Sequence, residues 1–130
     1  MKVADSSYII EGILRDATLL ERETFVSPDL ALYETVNALW KHETLLHDLK
    51  DSKERIELLS ELILNNRIQL VRPDKKLLKE TYALSVKHSR PIYDCVFIAL
   101  ALQLKMGLAT FDSKQSALLS EETPRADRVR

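Results

Sequence analysis

Cysteine, glycine and proline are scarce in this 130-residue sequence, with one, two and four copies, and each scarcity removes a class of explanation. The single Cys95 makes no internal disulfide, and no Cys-x-x-Cys pair or Cys/His cluster offers a zinc site, so a reducing, cytoplasmic setting is expected. Few glycines and prolines beside 45% hydrophobic and 30% charged residues exclude a disordered or fibrous chain and favour a helix-rich globular one. An apolar run of about 18 residues, enough to cross a bilayer, is missing, and the apolar start, broken by Lys2 and Asp5, is too short for a secretory signal. Charge of one sign is also lacking: 19 Lys and Arg face 20 Asp and Glu. That balance argues against a binder that relies on overall basicity, although setting aside four acids for a cation site would leave the rest net positive.

What is present is hydrophobic periodicity in a chain long enough for one domain with its own core. Residues 1–4 read as a short strand ending at Asp5, followed by the helical pattern Tyr8, Ile9, Gly12, Ile13 with Ser6 and Ser7 at the turn. Residues 24–27 form a second strand candidate, and Pro28 suits the start of a helix over about 29–47. Asp51 and Glu54 have capping-box spacing before an amphipathic helix carrying Ile56, Leu59 and Ile63. A third strand over 67–71 is stopped by Pro73, and Asp74 caps the next helix, which Ser89-Arg90-Pro91 breaks. Residues 92–104 are apolar on nearly every side, which predicts a buried helix ended by Gly107; 108–111 is a fourth strand, and Asp112-Ser113 opens a last short helix. Alternating strands and helices imply an α/β class with a parallel sheet covered by helices. The domain is expected over 1–120, with 121–130 a polar tail.

The acids follow this pattern. In an open parallel sheet, sites form where strand carboxyl ends feed into helix N-termini. Asp5 follows the first strand, Asp112 follows the fourth, Glu34 lies early in the helix after the second, and Asp94 lies in the first turn of the buried helix. Each has an ordinary alternative: Asp5 and Asp112 as helix caps, Glu34 as a solvated helix residue. Asp94, among Ile92, Val96, Phe97, Ile98 and Leu100, is costly to bury without capping or ligation. Four clustered carboxylates repel unless a cation sits among them, and oxygen ligands without sulfur or imidazole suit Mg2+ or Mn2+. Such a site activates water and offsets charge on a phosphodiester.

Val3-Ala4-Asp5-Ser6-Ser7, Pro28-Asp29-Leu30 with Glu34 and Asn37, Tyr93-Asp94 with Ala99, and Leu108-Ala109-Thr110-Phe111-Asp112 together resemble a PIN domain, most similar to ribonuclease toxins of VapC type. The resemblance covers about residues 1–120 and implies a three-layer α/β/α sandwich with a short central parallel sheet. It further implies a magnesium or manganese site in Asp5, Glu34, Asp94 and Asp112, with Ser6, Asn37 and Thr110 supporting it by hydrogen bonds. Metal-dependent endoribonuclease activity on RNA, a homodimer and a small antitoxin partner follow from the same likeness. The chain departs from the family in one respect: residues 120–130 are polar apart from Ala126 and Val129, so the usual closing apolar strand is not evident.

Two rivals come from other classes. A magnesium-dependent phosphoacceptor domain would need an adjacent acidic pair after the first strand, where this chain has Ser6 and Ser7. A catalytically silent partner-binding module would keep the acids without cleavage. Other signals are set aside. His42 and His47 are five apart, roughly 140° around a helix, and cannot face one metal as zinc-protease histidines do. The three histidines are expected at the surface, with His88 near a helix C-terminus. Cys95 reads as a core residue. Tyr33 and Trp40 serve packing or base stacking. Arg15, Lys41, Arg90 and Lys114 are assigned to the acidic edge as phosphate contacts or a solvated face.

Overall fold

A computed structural model describes residues 1–123. Eleven elements follow one another: β1 (Lys2–Ala4), α1 (Ser6–Leu14), α2 (Thr18–Glu21), β2 (Phe25–Pro28), α3 (Leu30–Thr44), α4 (Ser52–Leu64), β3 (Ile68–Val71), α5 (Lys75–His88), α6 (Ile92–Leu104), β4 (Leu108–Ala109) and α7 (Ser113–Glu122). The four strands form one parallel sheet in the order β3-β2-β1-β4. Helices α1, α3 and α4 pack together on one side, with α2 against α1, while α5, α6 and α7 form the other layer, and α6 lies across β1, β2 and β4. This is the α/β/α sandwich the sequence implied.

The strands are short because burial, not length, sustains them. Val3, Ala4, Phe25, Val26 and Ile68 are all buried, covered on both faces as parallel strands require. Helix α6 is their counterpart: Cys95 through Ala101 are buried without interruption, which accounts for its lack of a polar stripe. Ser27, fully buried in β2, donates to the Ala4 carbonyl at 2.7 Å, so the backbone is satisfied up to the residue before Asp5.

Local details differ from the sequence reading where a side chain found a better partner. Asp51 does not cap α4; its carboxylate takes Arg55 Nε at 2.8 Å, and the same guanidinium donates to the carbonyls of Ile13 and Leu14, binding α4 to the end of α1. Helix α6 ends at Lys105, which itself adopts the left-handed conformation (φ 54°), and Gly107 has no positive φ. The helix α2 was not anticipated; its two buried residues, Leu19 and Leu20, fit where α1 has no Cβ, for a methyl on Gly12 would lie 2.5 Å from Leu20 Cγ. The fourth strand holds only residues 108–109, and beyond it the Thr110 hydroxyl enters a polar network with Asp5. Helix α7 reaches Glu122, two residues into the stretch expected as tail; residues 124–130, and with them any closing strand, lie outside the described residues.

His88 is not the surface residue expected from the sequence. Its side chain is 11% exposed and its Nε2 lies 2.5 Å from Glu122, which also takes Lys87 Nζ at 2.8 Å, so α7 is tied to the end of α5. The Lys87 and His88 hydrogen bonds hold the Glu122 carboxyl below its usual range against the opposing effect of burial. An acid whose folded-state pKa is depressed adds stability above its unfolded value and loses it as pH falls through the folded one. The thermal midpoint of the parent is therefore expected to fall more steeply than that of Glu122→Gln below about pH 4.5, which melting curves between pH 3 and 7 check.

Candidate active site

The chain runs outward from β1 through β2 to β3, then returns to place β4 on the other side of β1. The crevice at the carboxyl ends of β1 and β4 is therefore the switch point where open α/β sheets bind ligands. Asp5 and Thr110 meet there because the ladder puts Ala4 beside Ala109, and the Asp5 amide continues it to the Ala109 carbonyl at 3.1 Å.

Asp5 is 3% exposed and fixed at both carboxylate oxygens. Oδ1 accepts from the Tyr8 amide at 3.1 Å, which makes Asp5 the N-cap of α1, and from Ser7 Oγ at 2.6 Å; Oδ2 accepts from Thr110 Oγ1. Thr110 in turn accepts from the Asp112 amide at 2.9 Å, and Ser7 accepts from the Phe111 amide at 3.0 Å. Tyr8 stacks on Phe111 with ring centroids 5.3 Å apart and 12° between planes, closing the loop after β4 onto α1. Asp112 caps α7 through the Lys114 amide at 2.9 Å. Glu34, partly buried in the second turn of α3, receives Ser6 Oγ at 2.5 Å, so the residue beside Asp5 holds the acid from the neighbouring helix.

A PIN domain profile matches residues 3–118. The chain belongs to the PIN domain family, of VapC type. It is also similar to Ribonuclease VapC3 of Pyrobaculum aerophilum, with 34% identity over 96 residues that cover 74% of this chain and 69% of that protein.

Within this PIN domain Asp94 stands differently from the sequence expectation. It is not enclosed by its apolar neighbours: its side chain is 42% exposed and meets Arg90 Nη2 at 3.4 Å, because the first turn of α6 emerges from the core, leaving Ile92 and Tyr93 exposed as well. Asn37, one turn beyond Glu34, is exposed and makes no side-chain hydrogen bond among the described residues. Of the cations assigned to this edge, Arg90 and Lys114 adjoin Asp94 and Asp112. Arg15 is the C-cap of α1, about 15 Å along that helix from Asp5, and pairs with Glu11; Lys41 sits in the last turn of α3. Tyr33 and Trp40 are 69% and 52% exposed, so neither is a core residue. Burial raises the Cys95 thiol above its usual pKa, consistent with a packing role.

Sequence reasoning missed Ser7 as a site residue. Its place in the sequence marks only a turn, yet its hydroxyl joins Asp5 to the backbone after β4. The signal was available, since a second hydroxyl directly after an acid at a strand end has that acid within reach.

The donors at this edge are carboxylate and hydroxyl oxygens, the chemistry that Mg2+ and Mn2+ accept. Among the described residues no three His, Cys, Asp or Glu side chains are gathered closely enough to cage a metal by themselves. Magnesium is ordinarily held by one or two protein carboxylates and its own waters, so the donor set fits such an ion without a cage.

Proposed function

We propose that this protein is a divalent-metal-dependent endoribonuclease, the toxin of a toxin-antitoxin pair, in which Asp5, Glu34, Asp94 and Asp112 form the catalytic edge. The observation that carries this reading is the buried Asp5 carboxylate, oriented by Ser7, Tyr8 and Thr110 at the switch point of the sheet. A structural cap needs one accepted hydrogen bond; Asp5 is held at both oxygens, as a group presented in a fixed direction would be. Asp5 and Asp94 would hold Mg2+ or Mn2+, with Glu34 and Asp112 completing the site directly or through water. The ion, when bound, supplies Lewis-acid polarisation of the phosphate and of the attacking water. Ser6 orients Glu34, Thr110 orients Asp5 and the Asp112 backbone, and Arg90 and Lys114 contribute positive charge for RNA phosphates. The similarity to a protein named as a ribonuclease supports RNA as substrate, and the VapC-type membership supports the further proposal of a homodimer with a small antitoxin partner.

The test is incubation of purified protein with single-stranded RNA in Mg2+, Mn2+ or excess EDTA. Cleavage is expected with either metal and is lost with chelator. Undiminished cleavage in EDTA overturns the metal-dependent reading, and absence of cleavage with every metal favours the silent binding module. Co-purification with the product of the adjacent reading frame tests the partner.

A further inference from the structure

Gln115 is 3% exposed, one of few polar residues so deeply placed. It lies in the first turn of α7, three residues after the cap Asp112, whose carbonyl accepts the Gln115 amide at 3.1 Å. Its side chain crosses to α6, where Nε2 donates to the Asp94 carbonyl at 2.9 Å. The amide orientation is dictated chemically, since only the nitrogen can face a carbonyl oxygen. Its Oε1 is then buried without a hydrogen-bond partner among the described residues. A residue serving only to fill the space between α6 and α7 would do so better as leucine or methionine, which leave no orphaned acceptor. What glutamine adds is the donor to Asp94.

That donor matters because the start of α6 is weakly anchored. Its N-cap is Pro91, which offers no side-chain hydrogen bond, and the Asp94 carboxylate has only the long contact to Arg90. The carbonyl has two lone pairs, so the Gln115 bond fits beside the helical one. It fixes the backbone from which the Asp94 side chain projects, relative to the turn that Asp112 caps.

We infer that Gln115 is a positioning residue, holding the first turns of α6 and α7 together so that Asp94 and Asp112 face the same cation. The inference rests on the reading of Asp94 as a metal-holding acid. Two variants test it with different packing: Gln115→Met keeps the length and removes the donor, and Gln115→Asn keeps the amide one methylene too short to reach. Mn2+ affinity is measured on the metal-free proteins by calorimetry, alongside thermal midpoint and the kcat and KM of RNA cleavage. The expected result is a loss of about tenfold in Mn2+ affinity and in kcat, with KM within about twofold, at temperatures where each variant is folded. A packing role alone lowers the midpoint without changing affinity at such temperatures. Parent-like Mn2+ affinity and kcat in a folded variant overturn the inference, and either variant suffices if the other fails to fold. A parent that neither binds Mn2+ nor cleaves overturns the reading of the site, and the inference falls with it.

Discussion

Replacing Asp94 with asparagine is expected to reduce RNA cleavage by at least about a hundredfold, more than loss of a supporting hydrogen bond to a metal ligand costs, while leaving the metal-free fold nearly as stable as the parent. The stability half of this expectation comes from exposure. The carboxylate is 42% exposed and its partner is Arg90 at 3.4 Å, an i,i+4 pair on a helix surface. Such pairs contribute up to about 1 kcal/mol, and often less, so the thermal midpoint in EDTA should shift by no more than about 4 °C. With Mg2+ in excess the parent should gain stability by mass action and the variant should gain less. A residue that only capped α6 would also leave the stability nearly unchanged, since asparagine caps well, but it would keep cleavage intact. Melting curves with and without Mg2+, beside a cleavage assay, decide it. Equal magnesium gains with retained cleavage would remove Asp94 from the mechanism.

Asp5 separates structure from chemistry in another way, because two substitutions there should part company. Asp5→Ala removes the cap of α1, worth about 1 kcal/mol, and strips the acceptor from Ser7 and Thr110 in a site 3% exposed, at a further cost of about 1–3 kcal/mol. The sum, near 3 kcal/mol, corresponds to a midpoint lower by about 10 °C for a chain of this size. Asp5→Asn keeps Oδ1 for the Tyr8 amide and Ser7. Its new NH2 group meets Thr110 Oγ1, which has a lone pair left beside the one used by the Asp112 amide, and the threonine proton can turn to Ser7 Oγ at 3.3 Å. Asparagine should therefore fold with a loss under about 1 kcal/mol and still lack cleavage. An active Asp5→Asn would show that the carboxylate serves only as a cap.

The sequence made the layers of this fold readable because parallel strands and buried helices carry unbroken apolar runs, as in residues 95–101, and because Asp5, Asp74 and Asp112 each cap a helix where chain polarity switches. It was less readable wherever a long side chain chose between partners. Asp51 could cap or pair, and Arg55 decided it; His88 could be solvated, and Glu122, 34 residues away, decided otherwise. The acids were legible as positions at one sheet edge. Whether Asp94 is enclosed or open was not, since that depends on how far α6 projects beyond the sheet, and local hydrophobicity describes only the neighbours along the chain. Ser7 was overlooked for a related reason: its partners are Asp5, two residues away, and Phe111, 104 residues along the chain.

The bond from Thr110 to Asp5 joins residues 105 positions apart. During synthesis Asp5 emerges before the threonine that orients it, which is added 105 residues later. At about 5–20 residues per second that interval lasts several seconds, to which the length still inside the ribosome adds. Over that time β1 lacks its neighbour on one side, and Asp5 Oδ2 lacks its hydroxyl donor. An unfinished or prematurely terminated chain thus carries three of the four acids without the contacts that align the first of them. For the ribonuclease proposed above, the arrangement delays alignment of Asp5 until Thr110 has left the ribosome.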